Sequence, residues 1–155
     1  MYKKYIVPTI AALLFSTAVI YAANVHLKGE PTVRDNGNTL TVCASLAGLG
    51  NQDITVTLTT TGEATAECVS PGGNVAPGIN KVPVTSTVSQ TIRASSIKNG
   101  NVSFCQTTRN PGIVSSRAAG CPNNNWLARV LDIEFTSATI TVVQGGRVVL
   151  RETIE

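Results

Sequence analysis

Apolar and polar side chains alternate along most of this chain with the two-residue period of a β-strand. In residues 53–60, Ile54, Val56 and Leu58 share one face, and threonines occupy the other. No long stretch after residue 22 keeps the 3.6-residue period of a helix, and the abundant threonine and valine favour strands. The pattern predicts strands over residues 25–28, 32–34, 39–44, 53–60, 64–69, 82–87, 89–94, 102–107, 127–135, 138–144 and 147–153.

Turn signals separate these predicted strands. Gly145-Gly146 predicts a two-residue hairpin, Asn36-Gly37 predicts a second hairpin, and residues 98–101 predict a turn. Two longer irregular stretches, residues 70–81 and 108–125, are rich in Gly, Pro and Asn. Many short strands joined in this way predict an all-β protein, and we expect an antiparallel two-sheet β-sandwich, immunoglobulin-like in architecture.

The first 22 residues have a different character. Two lysines precede an apolar run over residues 6–21, and a pair of alanines offers a cleavage point, as in a secretory signal peptide. The run is shorter than the roughly 20 apolar residues that a membrane-spanning helix needs. We therefore expect a signal peptide at residues 1–22, one domain at residues 23–155, a secreted, extracytoplasmic location, and no stable membrane insertion after cleavage.

Charge and aromatic content narrow the possible functions. The formal charge of +3 includes two lysines of the predicted signal peptide, and the remaining basic residues are scattered without a run. After residue 22 the aromatic side chains are Phe104, Trp126 and Phe135. Nucleic-acid sites require a basic stripe or stacking rings, so we expect no nucleic-acid partner.

The four cysteines, Cys43, Cys68, Cys105 and Cys121, all follow the predicted signal peptide. An even number in an exported chain predicts two disulfides, and the absence of a C-x-x-C pair argues against zinc. The simplest pairing is sequential, Cys43–Cys68 and Cys105–Cys121, which closes residues 106–120 into a loop; the other two pairings stay open. Alternation places Cys43 and Cys105 opposite their apolar neighbours, away from the main apolar face.

The chain offers few catalytic or metal-binding candidates. His26, the only histidine, alternates with apolar neighbours and is expected to be an exposed strand residue. Asp132 and Glu134 are expected to be solvent-facing strand charges, and Asp35 is explained by the turn that follows it. We therefore predict no enzyme, no catalytic or metal-binding residue and no cofactor. Asn101 begins a glycosylation sequon, which matters only in a glycosylating host.

Five side chains are candidates for interaction. Trp126 is expected to anchor the core beneath Cys121, or to form a ligand platform if it is exposed. Arg109 and Arg117 lie in the predicted loop of residues 106–120, where a pre-organised arginine suits an inhibitor or a ligand carrier. Val25 and Leu27 alternate in an N-terminal strand that a neighbouring molecule's groove could accept, as in pilins.

Two segments carry a resemblance, C-P-N-N-N-W at residues 121–126 and D-I-E-F-T-S-A-T-I-T-V at residues 132–142. They resemble secreted bacterial β-sandwich proteins of no assigned activity, and the resemblance implies export and fold alone. We predict a secreted, non-catalytic binding or structural module whose partner is a protein or a second copy. The alternative is a secreted inhibitor or small-ligand carrier that acts through residues 106–120.

Overall fold

The structure is a computed structural model that describes residues 24–155, so the predicted signal peptide lies outside the described residues. The described chain forms ten strands and a 3₁₀ turn at Ala94–Ser96. The strands are β1 (His26–Leu27), β2 (Thr32–Asp35), β3 (Leu40–Ala47), β4 (Ile54–Val69), β5 (Val75–Pro77), β6 (Val82–Ile92), β7 (Val102–Thr107), β8 (Ile113–Val114), β9 (Leu127–Gln144) and β10 (Arg147–Ile154).

The strands form two antiparallel sheets, which confirms the predicted all-β, two-sheet architecture. In the four-stranded sheet, β3 is central, with β1 and β2 along one side and β7 on the other. In the six-stranded sheet, β4 and β9 form the centre. Strands β6 and β5 flank β4, and β10 and β8 flank β9.

The main core lies between the two sheets. Alternate residues of β3 and of the first half of β4 are buried, as the sequence pattern predicts. The cluster consists of Leu40, Val42, Ala44, Leu46, Leu49, Ile54, Val56, Leu58, Phe104, Ala138, Ile140 and Val142. Each sheet thus turns one face inward and buries it against the other, as in a sandwich.

Strands β4, β6 and β9 are longer than the sequence predicts, because each joins two predicted strands. In β9 the apolar alternation breaks at Leu131 and Thr136, where each residue is an extra one opposite β4. These β-bulges shift the side-chain parity without ending the strand, and the one at Thr136 lies where the sequence predicted a break between two strands. In β4, Gly62 sits opposite Phe135, and a Cβ there would lie 2.6 Å from the Glu134 carbonyl oxygen.

The predicted turns are confirmed. Gly145 and Gly146 join β9 to β10 and have φ of 58° and 74°, the left-handed backbone of a type I′ turn. The turn at residues 98–101 closes by a Lys98–Asn101 bridge and carries the chain from β6 to β7 in the other sheet. In the β2–β3 turn, Asp35 Oδ1 accepts a hydrogen bond of 2.8 Å from Gly37 N.

All four cysteines are bridged, as expected, but the sequential pairing is wrong. The disulfides are Cys43–Cys105 and Cys68–Cys121. Cys43 and Cys105 face each other directly across the β3–β7 ladder, away from the buried face, as alternation predicts. Residues 106–120 are therefore not closed by a disulfide of their own. They connect one bridged cysteine to the other.

Candidate ligand site beyond the main core

The long central strands extend past the region that the four-stranded sheet covers. Beyond Leu58, the inward-facing side of β4 carries Thr60, Gly62, Ala64, Ala66 and Cys68. The segment 108–125 packs over this end of the sheet, with Ala119 and Val114 in its apolar clusters. The Cys68–Cys121 disulfide fastens this segment to β4. The inner face of the six-stranded sheet is therefore covered by the four-stranded sheet at one end and by the segment 108–125 at the other, and the two covers meet at a boundary.

A cavity of about 190 Å³ lies at that boundary. Strands β4, β6 and β9 and the start of the segment 108–125 form its walls. The lining residues are Thr60, Val84, Thr85, Ser86, Thr87, Arg109, Pro111, Ile133 and Phe135. Ligand sites are typically concave, with mostly apolar walls and a few converging polar groups, and this cavity has that composition.

The Thr60 hydroxyl is the most unusual group in the cavity wall. Thr60 is 1% exposed, and its Oγ1 has no hydrogen-bond partner among the described residues. A buried polar atom without a partner costs about 1–3 kcal/mol, so such atoms are rare in folded proteins and require an explanation. The oxygen itself is fully buried, so Thr60 forms part of the floor of the cavity but does not offer its hydroxyl to a molecule that enters it.

Two further polar groups line the same cavity. Ser86 Oγ accepts a hydrogen bond of 3.3 Å from the Arg109 backbone N–H, which leaves the hydroxyl proton of Ser86 free to donate. The Arg109 side chain is exposed and forms no ion pair with any other residue in the range 24–155. The lining contains no acidic side chain. The cavity therefore presents donors and a positive charge.

Two broader grooves lie on the outer face of the four-stranded sheet, with volumes of about 370 and 580 Å³. Lys28, Ser45 and Ser103 line both. The Ser45 and Ser103 hydroxyls lie 2.7 Å apart and form a hydrogen bond with each other. Both grooves are more open to solvent than the cavity beside Thr60, so the smaller cavity is the better candidate site.

The structure separates the side chains that the sequence singled out for interaction. Arg109 lines the cavity, whereas Arg117 is exposed elsewhere on the segment. Trp126 is half-buried before β9, where its carbonyl oxygen accepts a hydrogen bond from Ser116 Oγ. Small side chains, among them Ala66 and Ala119, form the cluster beside Cys121, in place of the anchor expected from Trp126.

Val25 and Leu27 are also not free. Leu27 pairs with Leu46 of β3, and both side chains pack against the main core of their own molecule. His26 is exposed, as expected, with Nδ1 2.9 Å from the Asn24 carbonyl oxygen. Donation of this strand to a neighbour would require it to leave β3.

The charged residues of β9 lie on the outer face of the six-stranded sheet. Asp132 and Glu134 are exposed, as expected, and Glu134 stands opposite Glu63 of β4. A hydrogen bond and charge attraction from Lys81 lower the pKa of the Glu134 carboxyl, and the same contact raises the pKa of Lys81. Residues 24–155 hold no group of three or more His, Cys, Asp or Glu side chains placed to bind a metal.

Sequence reasoning missed the role of Thr60. It has the same strand parity as Ile54, Val56 and Leu58, so alternation predicts that it faces inward. A polar residue that continues an apolar face is the signal that could have identified it. The free Oγ1 itself depends on the packing of three other chain segments, which alternation does not determine.

Comparisons with known proteins bring no family to this site. No protein-family model matches the chain, and no curated protein matches it at a significant level. Residues 24–155 contain no helix that is long and apolar enough to cross a membrane.

Proposed function

We propose that the chain is an exported, non-catalytic extracellular module that binds a small molecule in the cavity beside Thr60. The observation that carries the proposal is a concave site that combines apolar walls with the Ser86 hydroxyl and with the Arg109 side chain, which has no ion-pair partner among the described residues. Export is supported by the signal-peptide pattern and by the two disulfides, which are typical of oxidising compartments. The cavity supports the carrier alternative, but in a form that does not depend on a disulfide-closed loop, because residues 106–120 are not closed by a disulfide of their own.

A non-catalytic role fits the chemistry of the cavity wall. No histidine, cysteine or carboxylate lines the cavity, so it lacks the usual general acids, bases and activated nucleophiles. The one histidine of the chain, His26, belongs to β1 of the other sheet. A bound molecule is expected to leave the cavity unchanged.

A screen of small molecules by protein-observed NMR tests the binding proposal. Molecules that bind should shift the amide signals of Thr60, Ser86 and Ile133 in a saturable way. Ser86→Phe should abolish these shifts, because Ser86 lies on the inner side of β6 and a ring there fills the cavity. Ser89→Phe, on the outer side of the same strand, is the matched control. A library without any binder at these residues would refute the proposal.

A second candidate function is self-association through the outer face of the same sheet. Val75, Val69 and Leu127 lie side by side across β5, β4 and β9. Val75 and Leu127 are 63% and 53% exposed. The Glu67–Arg129 ion pair at 3.3 Å flanks this row, so a two-fold axis would bring the acid of one copy to the base of the other.

The oligomeric state tests this second candidate. Sedimentation should show concentration-dependent dimers that Leu127→Lys removes. Val33→Lys, at a valine of comparable exposure on the other sheet, should leave them intact. A wild-type protein that is monomeric at every concentration would eliminate self-association through this row.

A further inference from the structure

We infer that the cavity beside Thr60 selects a small organic carboxylate with an apolar body about the size of one ring. This inference rests on the proposed binding function and adds the chemical class of the ligand. Three features support it, namely the volume of the cavity, the charge at its solvent side and the Ser86 hydroxyl beside that charge.

Volume limits the ligand. An apolar cavity of about 150 Å³ in another protein holds one benzene molecule. The cavity here, of about 190 Å³, therefore has room for one ring and a small polar group. Val84, Ile133 and Phe135 supply apolar contact for the ring. A longer chain or a second ring would extend out of the cavity into solvent on the Arg109 side.

Charge and donors select the polar group. Arg109 is the charged residue of the lining, it is exposed, and it has no ion-pair partner among the described residues. The Ser86 hydroxyl adds a donor, since its oxygen already accepts from a backbone N–H and its proton is free. A carboxylate has two oxygens that accept hydrogen bonds from a guanidinium and from hydroxyls together. A cationic ligand would be repelled by Arg109 and would find no carboxylate in the lining of the cavity.

The two ends of the cavity fix the orientation of the ligand. Arg109 is exposed to solvent, whereas Thr60 is buried against the sheet. The carboxylate is expected to lie between Arg109 and the Ser86 hydroxyl, and the ring to lie against Phe135 and Ile133. This placement keeps the charge near water and removes the apolar body from it, which is the favourable arrangement for both parts.

Titration calorimetry and NMR with four probes test the inference on the full-length protein with both disulfides formed. The probes are benzoate, its neutral analogue benzamide, acetate and inorganic phosphate. Benzoate should bind at least about tenfold more tightly than benzamide, because a charge-assisted pair is worth that factor or more. Acetate, which lacks the ring, and phosphate, which lacks any apolar part, should both bind more weakly than benzoate.

Variants separate the contributions. Arg109→Gln should weaken benzoate binding about tenfold or more and leave benzamide binding nearly unchanged. Arg117→Gln, at the exposed arginine outside the cavity, is the matched control and should change neither. Ser86→Ala should weaken benzoate binding by a smaller factor, about fivefold, as expected for one hydrogen bond from a hydroxyl.

The outcomes distinguish the two levels of the proposal. Benzamide that binds in the cavity as tightly as benzoate would overturn the carboxylate inference and leave the binding function standing. Phosphate that binds more tightly than benzoate would overturn it as well, in favour of an inorganic anion. No bound probe, together with a crystal structure that shows only ordered water in the cavity, would refute both.

Discussion

Removal of each disulfide in turn tests what each bridge contributes to global stability and to local order. Cys43→Ala/Cys105→Ala and Cys68→Ala/Cys121→Ala open loops of sequence separation 62 and 53. The chain-entropy relation gives a loss of about 4 kcal/mol in the free energy of unfolding for either loop. This is an upper figure, because the loops interleave and each bridge shortens the loop that the other closes.

The two losses are similar in size, but their local effects should differ. Strand β7 stays paired with β3 at six residues when the Cys43–Cys105 bridge is removed. The segment that covers the cavity has much less support, since β8 pairs with β9 at two residues. Loss of the Cys68–Cys121 bridge should therefore release residues 113–126 while the rest of the sandwich stays folded.

Urea unfolding and amide hydrogen exchange measure these two effects. Trp126, the one tryptophan of the chain, reports unfolding by fluorescence. Exchange at residues 113–126 should become faster in the variant that lacks Cys68 and Cys121, and stay close to wild type in the other. Faster exchange there in both variants, or in neither, would refute the reasoning that the Cys68–Cys121 bridge holds the cover of the cavity.

Three further predictions address single residues. Thr60→Val should raise the free energy of unfolding by about 1–2 kcal/mol in urea, because it removes a buried hydroxyl without a partner. Thr59→Val is its outward-facing control, and lower stability of Thr60→Val than of wild type would show that the hydroxyl is satisfied. Gly62→Ala should cost about 1–3 kcal/mol, because its Cβ would lie 2.6 Å from a carbonyl oxygen; Gly72→Ala, whose nearest contact is at 3.8 Å, should be tolerated, and equal effects would contradict the bulge geometry. Lys81→Met should destabilise the protein at neutral pH. Because the pKa of Glu134 is lowered in the folded protein, the difference in free energy of unfolding between wild type and this variant is present above about pH 4.3 and disappears as Glu134 is protonated at lower pH. A difference that grows in acid would contradict this reasoning.

The sequence predicted the two-sheet class because apolar residues occupy every second position over the length of a short strand. Leu40 to Leu46 and Ile54 to Leu58 alternate without interruption, and the structure buries both. Strand lengths were not predictable in the same way. At Leu131 and Thr136 an extra residue reverses the parity, and only the partner strand reveals that pairing continues on the other side.

The disulfide pairing was wrong for a related reason. Alternation correctly placed Cys43 and Cys105 off the apolar face, but it does not say which strands are neighbours. Pairing of β3 with β7 depends on a turn at residues 98–101 that moves the chain to the other sheet. The sequential pairing assumed local closure, whereas the register that aligns Thr41 with Thr107 also aligns the two cysteines.

The candidate site follows from a change in side-chain size along β4. The inward face carries Ile54, Val56 and Leu58 where the four-stranded sheet covers it, then Thr60 and Gly62 where that cover ends. Large side chains fill the space between two sheets, whereas small ones leave room unless another element approaches as closely. The segment 108–125 does so at Ala66 and Ala128 but not beside Thr60.

Two groups of residues therefore have different roles. The first sets the path of the main chain that creates the cavity, and the second supplies the side chains that determine which ligand binds. Gly62 belongs to the first group, because its close contact with Glu134 sets the path of β9. Arg109 belongs to the second, since it is exposed and pairs with no described carboxylate. Arg109→Gln should thus leave the free energy of unfolding within about 0.5 kcal/mol of wild type while it changes ligand binding, and Gly62→Ala should lower the free energy of unfolding. A variant of Arg109 that loses both together would show that site and scaffold are not separable here.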